Sequence, residues 1–125
     1  MNDSQTVLIT GATSGIGLAT TMLLVRNGYF VIGIGSRPES CQKAEKAVNE
    51  AIPGSNCLFW PADLSVQENV HRLADKVIGF LVERKLSLYA LINNAGGVRS
   101  RYIETPDGIE TQFAINHLAG FILSY

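Results

Sequence analysis

The stretch Thr10-Gly11-Ala12-Thr13-Ser14-Gly15-Ile16-Gly17 sets glycines and hydroxyl residues between an apolar run, Thr6-Val7-Leu8-Ile9, and a helical pattern. Glycines at this junction give a tight turn with no Cβ atoms in the way, so a phosphate group can reach the backbone and the positive N-terminal end of the helix. Gly11, Thr13, Ser14, Gly15, Ile16 and Gly17 are therefore the first candidate binding residues, and the pyrophosphate of a dinucleotide is the group they suit.

Three further groups follow in the order such a site requires. Gly35-Ser36-Arg37 lies about twenty residues on, where an acidic residue would hydrogen-bond the ribose 2′-hydroxyl of NAD. No acid is present there. Ser36 and Arg37 can instead bind a 2′-phosphate, with arginine supplying charge and a forked donor. This favours NADP, with NAD as the other coenzyme, and leaves a solvated loop arginine as the plain alternative. Asp63-Leu64 can meet the adenine, the carboxylate accepting from the exocyclic amine and the following backbone touching the ring. The alternative is that Asp63 caps the next helix. Asn93-Asn94-Ala95-Gly96 offers small residues against which a ribose can lie and amides that can tie neighbouring strands together; as a bare tetrapeptide it could also be a turn.

These groups need a scaffold, and the chain alternates strand and helix patterns to provide one. Strands are expected at residues 6–10, 29–34, 56–60 and 88–92. The first helix is expected over 15–27, with Ile16, Ala19, Leu23 and Leu24 on its buried stripe and Gly28 at its C-cap. Pro38 opens a second helix, with Cys41, Ala44, Val48 and Ile52 facing inward and Pro53-Gly54 ending it. Ser65-Val66-Gln67-Glu68 reads as a capping box starting a third helix at Val66, continued by Val70, Leu73, Val77 and Leu81. Thr105-Pro106 opens a last helix holding Ile109, Phe113, Gly120 and Phe121. The fold class is α/β: a Rossmann-type parallel sheet with helices on both faces and strand order 3-2-1-4, with the crevice between strands 1 and 4 at their carboxyl ends.

The chain of 125 residues, 46% hydrophobic and 17% charged, is suited to one folded domain. A net charge of −1 without basic clusters argues against nucleic acid. No apolar run reaches a membrane span, and the polar Met1-Asn2-Asp3-Ser4-Gln5 is not a secretory signal, which makes cytoplasm the default. Cys41 and Cys57 lack metal or redox spacing, and His71 and His117 have no ligand set around them, so no metal site is expected. Arg99 and Arg101 could reach an anion but read as solvent-exposed, as do Lys43, Lys46, Glu45 and Glu50.

In order and spacing, Thr10 to Gly17, Asp63, Asn93 to Gly96 and Asn116 resemble the short-chain dehydrogenase/reductase family. The stretch from Asp107-Gly108-Ile109-Glu110 to Phe113-Ala114-Ile115-Asn116-His117-Leu118 resembles its retinol-dehydrogenase-like members. The resemblance implies hydride transfer between a nicotinamide coenzyme and an alcohol or carbonyl substrate. It also implies that Asn116 helps hold a water in a proton relay, where the plain alternative is a polar residue kinking a helix. The family's Ser and its Tyr-x-x-x-Lys pair are not found: four residues after Tyr29, Tyr89 and Tyr102 stand Gly33, Asn93 and Pro106. The expectation is thus one dinucleotide-binding domain over 1–125, the N-terminal part of a longer enzyme truncated before strand five, itself inactive, with homo-oligomers in the family's repertoire. The competing reading is a non-catalytic dinucleotide-binding or interaction module.

Overall fold

A computed structural model describes residues 5–96 and 103–124. Strands β1 (Thr6–Thr10), β2 (Phe30–Gly35), β3 (Cys57–Pro61) and β4 (Leu88–Ile92) form one parallel sheet in the order β3-β2-β1-β4. The expected order is met, with β2 and β3 each starting one residue later than the apolar runs suggest. Parallel strands are covered on both faces, so their side chains are apolar in both directions. Leu8, Ile32 and Ile34 pack under α3 (Gln67–Arg84) and α5 (Ala119–Ser124) with Val70, Leu73, Val77 and Ala119. Ile9 and Val31 pack on the opposite face under α1 (Gly15–Arg26) and α2 (Pro38–Ala51) with Val25, Cys41, Ala44 and Val48. Ile9, Ile32 and Val48 are wholly buried, each stabilising by about 1.5–3 kcal/mol.

β3 lies at the sheet edge, where its outward amides need partners. Glu45 on α2 supplies one: its Oε1 accepts the Phe59 N–H at 3.0 Å. Glu45 is thus a strand partner rather than a purely solvated acid. Among the described residues no helix is long and apolar enough to cross a membrane.

Three local expectations are corrected. On α1 the buried residues are Gly17, Thr21 and Val25, while Ile16 and Leu23 are 78% and 60% exposed. Close approach to the preceding turn, rather than apolarity, sets which way this helix faces. A Cβ on Gly17 would stand 1.9 Å from the Gly11 carbonyl oxygen, and Thr21 Oγ1 donates to the Gly17 carbonyl at 2.8 Å.

The capping box at Ser65 does not form. Val66 is the N-cap of α3, and the Ser65 hydroxyl donates instead to Asp63 Oδ1 at 2.6 Å. Glu68 pairs with Arg72 one turn on.

The last helix starts at Thr111, not at Pro106. Residues 105–108 make a turn in which the Gly108 N–H donates to the Thr105 carbonyl at 2.9 Å, with Gly108 at φ 76°. Glu110 then accepts from the amides of Gln112 and Phe113 and caps α4 (Thr111–Phe113). A π-helical turn, Ala114–Leu118, joins α4 to α5. One extra residue in that turn puts Ala114 and Ala119, five apart, on the buried face and leaves Phe113 and Phe121 outside.

Candidate functional site

At the carboxyl ends of β1, β2 and β3 the structure opens a cleft of about 240 Å³. Its walls include Gly11, Thr13, Ser14, Ser36, Asp63, Leu64, Ala95 and Gly96, brought together from four separate segments. Its floor is the turn between β1 and α1, where Gly11 and Gly15 adopt left-handed conformations with φ of 66° and 56°. Space around Gly11 is tight, since a Cβ would lie 2.9 Å from the Ala95 Cα. Space around Gly15 is open, with nothing within 4 Å of the Cβ position. One glycine lets two backbones meet, and the other leaves room for a ligand.

Helix α1 opens into this cleft uncapped. Ser14 is its N-cap residue but makes no side-chain capping bond, and no acid stands in the first turn. Exposed first-turn amides and the positive end of the helix dipole suit an anion. The fit of a diphosphate to these residues rests on that observation together with the Cβ-free rim at Gly15.

Carboxylate Asp63 stands on the opposite wall. Its Oδ1 accepts from the Ser65 amide at 3.0 Å and the Ser65 hydroxyl at 2.6 Å. Among the described residues Oδ2 takes no hydrogen bond, so one acceptor oxygen is left for a ligand. A second, larger concavity of about 340 Å³ lies outside β3 and shares Ser36 and Asp63 with the cleft. Trp60 lines it with Lys76 Nζ 4.3 Å over its ring.

Asparagines on β4's exit serve distinct partners. Asn94 Nδ2 donates to the Gly11 carbonyl at 3.1 Å, tying β4 to the glycine turn as its amide chemistry suggests. Thr10 Oγ1 accepts the amides of Asn94 and Ala95 at 3.1 and 2.9 Å from the same direction. Asn93 points away from the cleft, packs on Gly120 and donates to Ser124 Oγ at 3.1 Å. Asn116 sits in the π-helical turn, with its Oδ1 2.9 Å from where a Gly96 Cβ would be. It therefore stands at the end of the cleft nearest Gly96, and the helix irregularity and the polar residue coincide. π turns inside helices often mark functional positions.

Arg37 is the exposed N-cap of α2, next to Ser36 on the cleft wall. Arg99 and Arg101 lie outside the described residues. Three residues without a site role in the sequence reading take part here: Thr10, Ser65 and Asp107, the last accepting the Gln67 amide at 2.8 Å. A strand-ending threonine gave some signal, and so did Ser65, two residues after its acceptor Asp63; Asp107 depends on a partner 40 positions away that no local pattern reveals.

Beneath the cleft, Cys41 Sγ stands 2.9 Å from where a Gly35 Cβ would be. Burial raises its thiol pKa above the ordinary value, against a backbone hydrogen bond at Gly35 and with a smaller push from the Glu45 charge. Cys57 is raised chiefly by burial as well. Both thiols are protonated at neutral pH.

The comparisons agree with this geometry. Residues 5–125 match the family model described as short chain dehydrogenase. The chain belongs to the short-chain dehydrogenase family. It is 40% identical over 124 residues to retinol dehydrogenase 12 of Mus musculus, covering 97% of this chain and 37% of that one. It is 37% identical to human retinol dehydrogenase 14, covering 96% of this chain and 38% of that protein. Among solved structures, a metagenomic short-chain oxidoreductase in complex with NADP matches with a TM-score of 0.76 and 26% identity, over 95% of this chain and 52% of that one. A short-chain dehydrogenase from Sphingobium yanoikuyae in complex with NADPH matches with a TM-score of 0.76 and 26% identity, over 96% of this chain and 45% of that one. The chain therefore spans well under half the length of the curated relatives it matches.

Proposed function

We propose that the protein acts in hydride transfer between a nicotinamide coenzyme, NADP in preference to NAD, and an alcohol or carbonyl carbon. The observation that carries this reading is the uncapped, acid-free N-terminus of α1 facing Asp63 across the cleft. Backbone amides of the Gly11–Gly17 turn hold the diphosphate. Ser36 and Arg37 bind the 2′-phosphate, and the arginine fork supplies the charge that favours NADP. Asp63 Oδ2 accepts from the adenine amine while the Leu64 backbone lies along the ring. Asn94, Ala95 and Gly96 form the surface for the nicotinamide-side ribose. Asn116, at the Gly96 end, orients a water for proton transfer to or from the substrate oxygen. When bound, the nicotinamide supplies or accepts the hydride.

Support comes from named relatives that are retinol dehydrogenases and from solved relatives holding NADP or NADPH. Arg37→Ala tests the coenzyme preference in the protein as it occurs in its source. NADP binding should weaken by about 1.5–3 kcal/mol, the range for a hydrogen bond to a charged group, while NAD binding hardly changes. Equal losses for both coenzymes would remove Arg37 from the site. Coenzyme-dependent turnover of a panel of alcohols and carbonyls tests the reaction class, and no turnover of any would contradict it.

A further inference from the structure

The geometry points to Asp107 as a positioning residue that holds the adenine-side turn and, through it, sets coenzyme affinity; this rests on the adenine role proposed for Asp63. Asp107 stands 40 positions from Gln67 in the chain, yet its Oδ2 accepts the Gln67 amide at 2.8 Å. That amide is in the first turn of α3, whose own N-cap residue, Val66, has no side chain able to cap it. The missing cap is therefore delivered by a loop distant in the chain, the one leading into the helical segment that packs beside α3.

What Asp107 holds in place is the support of Asp63. The Val66 amide and Asn69 Nδ2, both at the start of α3, donate to the Asp63 carbonyl at 3.4 and 3.2 Å. Ser65 donates twice to Asp63 Oδ1. Among the described residues every hydrogen bond that fixes Asp63 thus comes from Ser65, Val66 and Asn69, the segment that Asp107 clasps. A shift of this first turn would carry the carboxylate with it.

Asp107 is itself firmly held. Thr105 Oγ1 accepts the amides of Asp107 and Ile109 at 3.3 and 3.4 Å, and the Thr105 amide donates to the Ile109 carbonyl at 2.7 Å. Glu104 bridges to Glu110, and Glu110 caps the helical segment that carries Asn116. The loop is a short, internally hydrogen-bonded arm from the Asn116 helix to the adenine side. One hydrogen bond closes the tip of the arm onto α3, beside the packing of α5 on the same helix, and the two together tie the ends of the cleft to each other.

The test uses the protein as it occurs in its source and NADPH as the probe, with binding read by calorimetry. Asp107→Ala should weaken NADPH about threefold to tenfold, the range for loss of one supporting hydrogen bond. Asp107→Asn keeps an acceptor oxygen and should restore most of the affinity. In an Asp63→Ala background, Asp107→Ala should have little further effect, because the two act as one unit. Nicotinamide mononucleotide, which lacks adenine, should bind both proteins alike. Unchanged NADPH affinity in Asp107→Ala, or losses that simply add in the double variant, would overturn the inference and leave the coenzyme reading standing. Failure of the unaltered protein to bind NADPH would overturn both.

Discussion

Helix α1 begins at Ser14 with no side-chain cap and no acid in its first turn, whereas α3 begins at Val66 with Asp107 on its Gln67 amide and Glu68 beside it. Both helices start at the carboxyl end of the same sheet, within one site. Helix termini carry amides whose acceptors are side chains, water or ligands. Helix α2 also starts without a side-chain cap but carries Glu39 in its first turn; α1, uncapped, acid-free and with open space at Gly15, is the start that suits an outside anion. Acids at the filled end would also repel a phosphate that strayed toward α3.

The two turns reach their shapes by different means. Before α1 the constraint is steric, with glycines at positions where a side chain has no room. Before α3 it is polar, with Ser65, Asn69 and Asp107 each spending a hydrogen bond on the turn. Breaking the steric turn should therefore cost more. Gly17→Ala places a Cβ 1.9 Å from a backbone oxygen that has no flexible end to move. A loss of about 3 kcal/mol or more is expected, read as a fall in thermal or denaturant midpoint. A near-neutral result would mean that the turn is not held by close approach.

Asp107→Ala should be milder, costing about 0.5–2 kcal/mol for loss of a helix cap. The folded state should survive, which is what lets its effect on coenzyme binding be measured separately. A loss as large as that of Gly17→Ala would erase the distinction between the two turns.

The smallest effect lies beneath the open turn, where buried Cys41 packs against Gly35. Its thiol pKa is higher folded than unfolded. The unfolded chain then loses its proton first as pH rises, so this contribution is present below the ordinary thiol pKa and is lost above it. Thermal melts should show stability falling above roughly pH 8.5, less steeply in Cys41→Ala. An identical slope in the variant would assign the fall to other groups.

Much of this was legible in the sequence because it is local. The run Thr10–Gly17 carries its own turn, and the alternation of apolar strands with helices dictates a parallel sheet in the observed order. Asp63 and Asn94 could be placed because each lies two residues past the end of a strand. Four features were hidden for physical reasons. The exposed face of α1, with Ile16 and Leu23, follows from where Gly17 must sit rather than from which residues are apolar. Ser65 has the form of a helix cap but finds a nearer acceptor in Asp63. Asp107 meets Gln67 only because the sheet brings distant loops together, and the π turn around Asn116 has no composition that announces it.

The open helix end can be closed without disturbing the fold. Ser14 has the extended backbone of an N-cap, with φ −158° and ψ 169°. Aspartate is among the best N-cap residues, so Ser14→Asp should preserve or raise the melting temperature. The same carboxylate would occupy the amides and repel a diphosphate by about 2 kcal/mol or more. Titration of NADPH into the unaltered protein and Ser14→Asp, followed by nicotinamide fluorescence, is the decisive comparison. Binding in the first and its near-complete loss in a fully folded second is the predicted result; equal affinity in both would contradict the placement of the diphosphate at α1.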